Sequence, residues 1–163
     1  MSMHMEEAPN APASPICQLP YAERFAVWAS RVWIETMRSE EAHCQRLENM
    51  FHHAKLSEAL GPFYSFFTLV THGAQRTLDF RCPCCKWLGE DEQLFLALVA
   101  AYQWGMPATA ESVLRDWLHA SAARRAAYPA RMFAYGLAEN AMVLKCRVAS
   151  ASIADISEVE TWH

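Results

Sequence analysis

Apolar residues recur at three- and four-residue spacing through most of this chain, which is the pattern of amphipathic helices. The first such stretch begins at Tyr21 and places Phe25, Trp28 and Val32 on one face. One short segment, residues 77–80, alternates instead, and no second strand is evident that would pair with it. We therefore predict an all-α fold, an antiparallel bundle of five or six helices with a short Cys-rich loop between the third and the fourth.

Polar caps, glycines and prolines predict where these helices begin and end. Ser39 is expected to cap the second helix, and Gly61-Pro62 to separate it from the third. Asp91 is expected to cap the fourth helix, which is apolar around most of its circumference and is therefore placed at the centre of the domain. Pro129 is expected near the start of the last helix.

Composition divides the chain into one domain with two unstructured ends. Residues 1–19 contain Pro9, Pro12 and Pro15 with few apolar residues between them, and we predict a disordered N-terminal segment. Residues 20–148 form the predicted helical domain, in a chain of 163 residues that can bury a core without disulfide bonds. Residues 149–163 are small, polar and mildly acidic, and we predict a loose C-terminal tail.

The formal net charge of −4 gives no electrostatic reason to expect binding to nucleic acid or to an anionic membrane. No apolar run follows a basic start, and none is as long as a membrane span, so we expect a cytoplasmic protein. Thiols stay reduced in that compartment. The six cysteines therefore favour buried thiols, metal ligands or redox chemistry over a disulfide framework.

Three cysteines fall within four residues, Cys82-Pro83-Cys84-Cys85, between an extended segment and a helix. Zinc prefers thiolate and imidazole ligands in a tetrahedron, and the C-x-x-C spacing of Cys82 and Cys85 suits two ligands on one tight turn. We predict a structural zinc site with Cys82 and Cys85 as primary ligands, Cys84 as an alternative and His72 as the third ligand. The fourth ligand is left open.

Other interpretations use the same cysteines. Free thiols pack as small hydrophobic groups, which is what we expect of Cys44 and, in the absence of a metal, of the cluster. In a redox interpretation, Cys82-Pro83-Cys84-Cys85 resembles the C-P-x-C active-site motif of glutaredoxins, which implies thiol–disulfide exchange. That resemblance covers four residues, and the alternating strands of the glutaredoxin fold are not predicted here. The Cys-Pro dipeptide also resembles haem-regulatory motifs, which implies a haem-responsive sensor.

No catalytic pattern accompanies these cysteines. The five glycines are scattered singly, no serine stands in a G-x-S-x-G motif, and no paired carboxylates occupy an apolar setting. We therefore favour a non-enzymatic adaptor or regulatory protein that contacts a protein partner, or a second copy of itself, through exposed aromatic residues. A thiol-based redox enzyme or sensor is the alternative, and a small DNA-binding regulator that uses a helical hairpin at residues 91–120 is the third hypothesis.

Overall fold

Six α-helices make up the fold in the residues that the computed structural model describes, 14–39 and 44–146. They are α1 (Tyr21–Arg38), α2 (Cys44–His53), α3 (Ser57–Gly73), α4 (Glu90–Gln103), α5 (Pro107–Trp117) and α6 (Ala120–Glu139). No strand occurs in these residues, and the clustered cysteines lie on the loop of residues 74–89 between α3 and α4. The predicted all-α fold is confirmed, including the position of the Cys-rich loop.

Helices α3 and α6 pack closely against each other, and two glycines make this approach possible. A Cβ atom added at Gly73, at the end of α3, would lie 2.7 Å from Cβ of Ala122, near the start of α6. A Cβ atom added at Gly136, near the end of α6, would lie 3.1 Å from Cβ of Ala59, near the start of α3. The two helices are therefore antiparallel, with small residues at both ends of their contact.

Helix α4 crosses the centre of the bundle, as its apolar circumference predicts. Phe95, Leu98 and Val99 have no exposed surface. The ring of Phe95 stacks with Phe66 of α3 and with Phe133 of α6, at centroid distances of 6.0 and 6.1 Å. Such aromatic contacts add to the stabilisation that burial itself provides. The core therefore holds α3 and α4 in place, and with them both ends of the 74–89 loop.

Two prolines lie inside helices rather than near their beginnings, so two predicted boundaries are wrong. Helix α3 begins at Ser57 and continues through Gly61-Pro62. Helix α6 begins at Ala120 and continues through Pro129, which is buried in its middle. Each proline removes a hydrogen bond to the carbonyl group four residues earlier, at a cost of about 3 kcal/mol. The buried faces of the two helices offset that cost, because tertiary packing supplies most of the stability of a helix.

Ser39 and Asp91 have roles that differ from the predicted helix caps. Ser39 follows α1 as its C-cap, and its backbone N–H donates to the carbonyl oxygen of Glu35. The start of the second helix adjoins residues 40–43, which lie outside the described residues. Gly89 precedes α4 as its N-cap, and Asp91 lies in the first turn with its side chain buried. The carboxylate of Asp91 therefore binds groups of the preceding loop instead of capping the start of α4.

The described part of the segment predicted to be disordered packs on the domain. Residues Ile16–Gln18 form a 3-10 turn, and the side chains of Ile16 and Leu19 are buried. The backbone N–H of Ile16 donates to the carbonyl oxygen of Lys86 at 2.9 Å, so this segment crosses the Cys-rich loop. Residues 1–13 and 147–163, including the predicted tail 149–163, lie outside the described residues. Within residues 14–39 and 44–146, no helix has the length and apolar character needed to cross a membrane.

Candidate functional site: a thiol pair above a buried ion pair

The buried carboxylate of Asp91 anchors the beginning of the loop. Arg76 donates to both carboxylate oxygens, at 2.7 and 3.0 Å, and Nε1 of Trp117 donates at 2.9 Å. The backbone N–H of Asp79 donates to the same group. Burial raises the pKa of Asp91, but these hydrogen bonds and the charge of Arg76 lower it by more, so the pKa lies below its usual value. Asp91 is therefore ionised at neutral pH and holds residues 76–79 against the helices.

Arg31 of α1 lies behind the cysteine segment, and its side chain is completely buried. Its Nε and Nη2 atoms donate to the two carboxylate oxygens of Glu92, at 2.7 and 2.8 Å. Nη1 donates to the carbonyl oxygens of Cys82 at 3.2 Å and of Cys85 at 2.7 Å, and Nη2 also donates to that of Trp87 at 2.9 Å. All five N–H groups of the guanidinium are therefore used, two on a carboxylate and three on the backbone of the loop.

Glu92 completes this network from the side of α4. Its carboxylate also accepts the backbone N–H groups of Arg81 at 3.0 Å and of Gly89 at 2.8 Å, at the two ends of the cysteine segment. Position 89 requires glycine, because a Cβ atom there would overlap the carbonyl oxygen of Asp79. The Arg31–Glu92 ion pair therefore supplies hydrogen-bond partners for five backbone groups of residues 81–89.

The thiols of Cys82 and Cys84 meet on the outer side of this segment. Their Sγ atoms are 2.7 Å apart, and both residues are exposed and free of disulfide bonds. The backbone N–H of Cys85 donates to the carbonyl oxygen of Cys82 at 3.0 Å, which closes a tight turn over residues 82–85. The Cys85 thiol contacts the carbonyl oxygen of Trp87 at 3.6 Å instead. The structure therefore pairs Cys82 with Cys84, whereas the C-x-x-C spacing points to Cys82 and Cys85.

The two thiols of this pair differ in acidity. The hydrogen bond with the Cys84 thiol lowers the pKa of Cys82, desolvation opposes this, and the N–H groups of Cys84 and Cys85 and the charge of Arg31 lower it further. The same interaction with Cys82 raises the pKa of Cys84. Cys82 therefore loses its proton first, and the Cys84 thiol donates a hydrogen bond to the resulting thiolate.

The four predicted metal ligands are brought together only in part. His72 is exposed near the end of α3, where its Nδ1 atom lies 2.8 Å from the carbonyl oxygen of Thr68 in the same helix. Across the two described ranges, no group of three or more His, Cys, Asp or Glu residues is arranged to hold a metal ion. The ligand set of Cys82, Cys84, Cys85 and His72 therefore stays a prediction, and so does zinc.

Arg31 and Glu92 organise the site, and the sequence analysis did not identify either of them. One signal was available: Arg31 lies four residues after Val27 and directly before Val32, in a helix that is apolar over much of its circumference. An arginine in such a position is rarely buried without a partner. The partner itself leaves no local signal, because Glu92 lies 61 positions further along the chain.

Comparisons of this chain with models of protein families, with curated proteins and with solved structures give no match. Its function has therefore to be inferred from the chemistry of its own residues. In the described part of the chain, the group with the most distinctive chemistry is the exposed thiol pair on its buried support.

Proposed function

We propose that this protein is a thiol-based redox sensor, a regulatory helical protein in which Cys82 and Cys84 interconvert between a dithiol and a disulfide. The observation that carries the proposal is the 2.7 Å separation of their exposed Sγ atoms. This separation is about 0.7 Å longer than a disulfide bond, so the two sulfur atoms lie close enough for that bond to form. An exposed thiol of lowered pKa beside a second thiol is also the usual arrangement of redox-sensing cysteines.

A small disulfide such as oxidised glutathione supplies the oxidising equivalents by thiol–disulfide exchange. The Cys82 thiolate attacks one sulfur of this disulfide, and the bond between its two sulfurs breaks to release a thiolate that takes up a proton. Cys84 then gives up its proton and attacks Sγ of Cys82, which releases the second small thiol. Two electrons pass from the cysteine pair to the small disulfide, and one protein disulfide and two small thiols result.

The geometry favours a reversible signal over a permanent cross-link. A disulfide between cysteines that are separated by one residue closes a very small ring, and strained or exposed disulfides are the ones most readily reduced. The reducing compartment predicted from the sequence would supply thiols for this reduction. The pair is therefore expected to follow the thiol–disulfide balance of its surroundings.

A redox titration of the full chain tests the proposal. The protein is equilibrated with mixtures of reduced and oxidised glutathione, quenched with acid and alkylated, and the Cys82–Cys84 disulfide is quantified by mass spectrometry. We expect a two-electron transition that Cys84→Ser abolishes. Cys17→Ser, which removes another exposed cysteine, should leave it unchanged. A pair that stays reduced in oxidised glutathione alone, while it still reacts with the alkylating reagent, would contradict the proposal.

An adaptor with structural zinc is the second candidate, because three sulfur ligands lie on one turn at the surface. The thiolates of Cys82 and Cys84, with Cys85 or His72, would hold the ion. Elemental analysis of protein purified without chelator tests this candidate, which requires about one zinc per chain, released by Cys82→Ser. Metal-free protein whose Cys82–Cys84 pair shows the two-electron redox transition described above would exclude the zinc adaptor in favour of the sensor.

Contact with another protein is the output expected of either function, and α6 presents exposed aromatic residues for it. Tyr128 and Tyr135 are 63% and 43% exposed, and Met132 lies between them. Tyr128 and Met132 line a shallow groove together with Pro62 and Leu69 of α3. Tyrosine and methionine are enriched at protein interfaces. We propose that this face binds a protein partner or a second copy, and sedimentation of the wild type beside Tyr128→Ser distinguishes the two.

DNA binding by the helical hairpin, the third hypothesis, has less support. The hairpin consists of α4 and α5, and most residues of α4 are buried in the core. Only α5 retains a face that could enter a groove of the duplex. Absence of salt-dependent binding to duplex DNA would exclude this hypothesis.

A further inference from the structure

The thiol pair is exposed, yet one buried side chain fixes the backbone that carries it. The carbonyl oxygens of Cys82 and Cys85 both accept hydrogen bonds from Nη1 of Arg31. The Cys82 oxygen also accepts the N–H of Cys85. These hydrogen bonds fix the turn on which the Sγ atoms of Cys82 and Cys84 lie 2.7 Å apart. The orientation of the turn therefore depends on Arg31.

We propose that Arg31, held by Glu92, is the positioning residue that sets the reactivity of the Cys82–Cys84 pair. This inference rests on the proposed redox function, because it concerns the same two thiols. Arg31 donates to backbone carbonyl groups and to a carboxylate, so it acts through the turn and through its charge. Both effects favour the Cys82 thiolate, because N–H groups and a nearby positive charge stabilise a negative sulfur.

The other anchor of the loop provides a matched control. Arg76 and Asp91 form another bidentate ion pair, at 2.7 and 3.0 Å, in which Asp91 is buried and Arg76 is partly exposed and also donates to Asp116. Asp91 also binds the backbone N–H of Asp79 and the indole of Trp117, and neither belongs to the turn of residues 82–85. Removal of this pair should destabilise the fold without changing the reactivity of Cys82. It therefore separates a positioning effect from a general loss of stability.

The test compares variants of the full chain by the rate at which iodoacetamide alkylates Cys82 across neutral and alkaline pH, followed by mass spectrometry. For Arg31→Met combined with Glu92→Leu, we expect alkylation near neutral pH to slow by roughly three- to tenfold, because less thiol is ionised. Arg31→Lys keeps the charge but loses the planar fork, so its rate should be intermediate. Arg76→Met combined with Asp91→Leu should match the wild type.

Glu92→Gln gives a second readout of opposite sign. The amide keeps an acceptor for Arg31 but removes the negative charge, so the positive charge of Arg31 acts on the thiols without compensation. We expect the pH midpoint of Cys82 alkylation to move downward, a direction that unfolding of the turn would not produce. Arg31→Lys, which retains the opposite charges at positions 31 and 92, keeps the inference testable where circular dichroism shows that the Arg31–Glu92 double variant does not fold.

Two results would overturn the inference. One is an identical alkylation profile for the wild type and all Arg31 and Glu92 variants. The other is equal slowing of alkylation in Arg31→Met combined with Glu92→Leu and in Arg76→Met combined with Asp91→Leu. Neither depends on the redox titration. If the pair oxidises reversibly but Cys82 is alkylated at the same rate in the wild type and in the Arg31 variants, this inference is refuted and the proposed function is retained. If the pair never oxidises but the alkylation rate of Cys82 changes in the Arg31 variants as expected, only the proposed function is refuted.

Discussion

Arg31→Met should be among the most destabilising single substitutions in this protein. It leaves the Glu92 carboxylate buried with two backbone N–H donors, those of Arg81 and Gly89. Removal of one partner of a buried ion pair costs about 3–5 kcal/mol. Three loop carbonyl oxygens lose the hydrogen bonds that Arg31 donates, and of these the Cys82 oxygen keeps the N–H of Cys85. Since a typical domain is stable by roughly 5–15 kcal/mol, this one change removes a large share of the free energy of unfolding.

Urea unfolding followed by circular dichroism measures the loss, with the free energy obtained by linear extrapolation. Arg46→Met is the control, because Arg46 forms an ion pair with Glu35 at 3.1 Å in which the side chains are 52% and 45% exposed. An exposed pair of this kind contributes at most about 1 kcal/mol. The reasoning is refuted if Arg31→Met costs less than about 1 kcal/mol, or if the two substitutions cost the same.

Arg31→Met combined with Glu92→Leu extends the same test. Replacement of both partners of a buried ion pair by apolar residues is often neutral or stabilising. Here the pair also serves five backbone groups of residues 81–89, and each buried group without a partner carries its own penalty. The double variant should therefore remain less stable than the wild type. Equal stability would show that the loop does not need the ion pair.

Gly73→Ala should destabilise the protein by roughly 1–3 kcal/mol, because the new methyl group meets Cβ of Ala122 at 2.7 Å. Gly61→Ala meets no atom within 4 Å outside its chain neighbours, but its Cβ atom faces the ring of Pro62, so the stability should change by less than about 1 kcal/mol, and thermal melts compare the two variants. Phe95→Ala should cost about 3–5 kcal/mol in urea unfolding, since its ring is fully buried. The folded-state pKa of Asp91 lies below its unfolded value, so its contribution to stability is complete above the unfolded pKa and is lost as pH falls through the folded pKa. The difference in urea stability between the wild type and Asp91→Asn should therefore narrow on acidification, and a constant difference would contradict this.

Apolar periodicity predicts the helices that build the core, but not their ends. The stripe of Phe63, Phe66, Phe67 and Val70 is apolar at helical spacing, and all four residues are buried in α3. The same local rules place a helix boundary just before it, at Pro62, and the structure continues through it. A proline is a local signal with a fixed cost, whereas the burial that offsets this cost comes from α4 and α6. Local patterns therefore identify which residues face the core more reliably than where a helix begins.

The candidate site shows the same division between local and distant causes. Spacing alone finds the three cysteines, but the pairing of Cys82 with Cys84 follows from a turn whose carbonyl groups bind Arg31, 51 residues earlier in the chain. A structural metal ion would gather such a loop around a central positive charge, and here the guanidinium of Arg31 occupies that position. Because protein groups already organise the backbone of the turn, we propose redox chemistry for its thiols ahead of structural metal binding. They are left at the surface, close together and unequal in acidity, which is the condition that thiol–disulfide exchange requires.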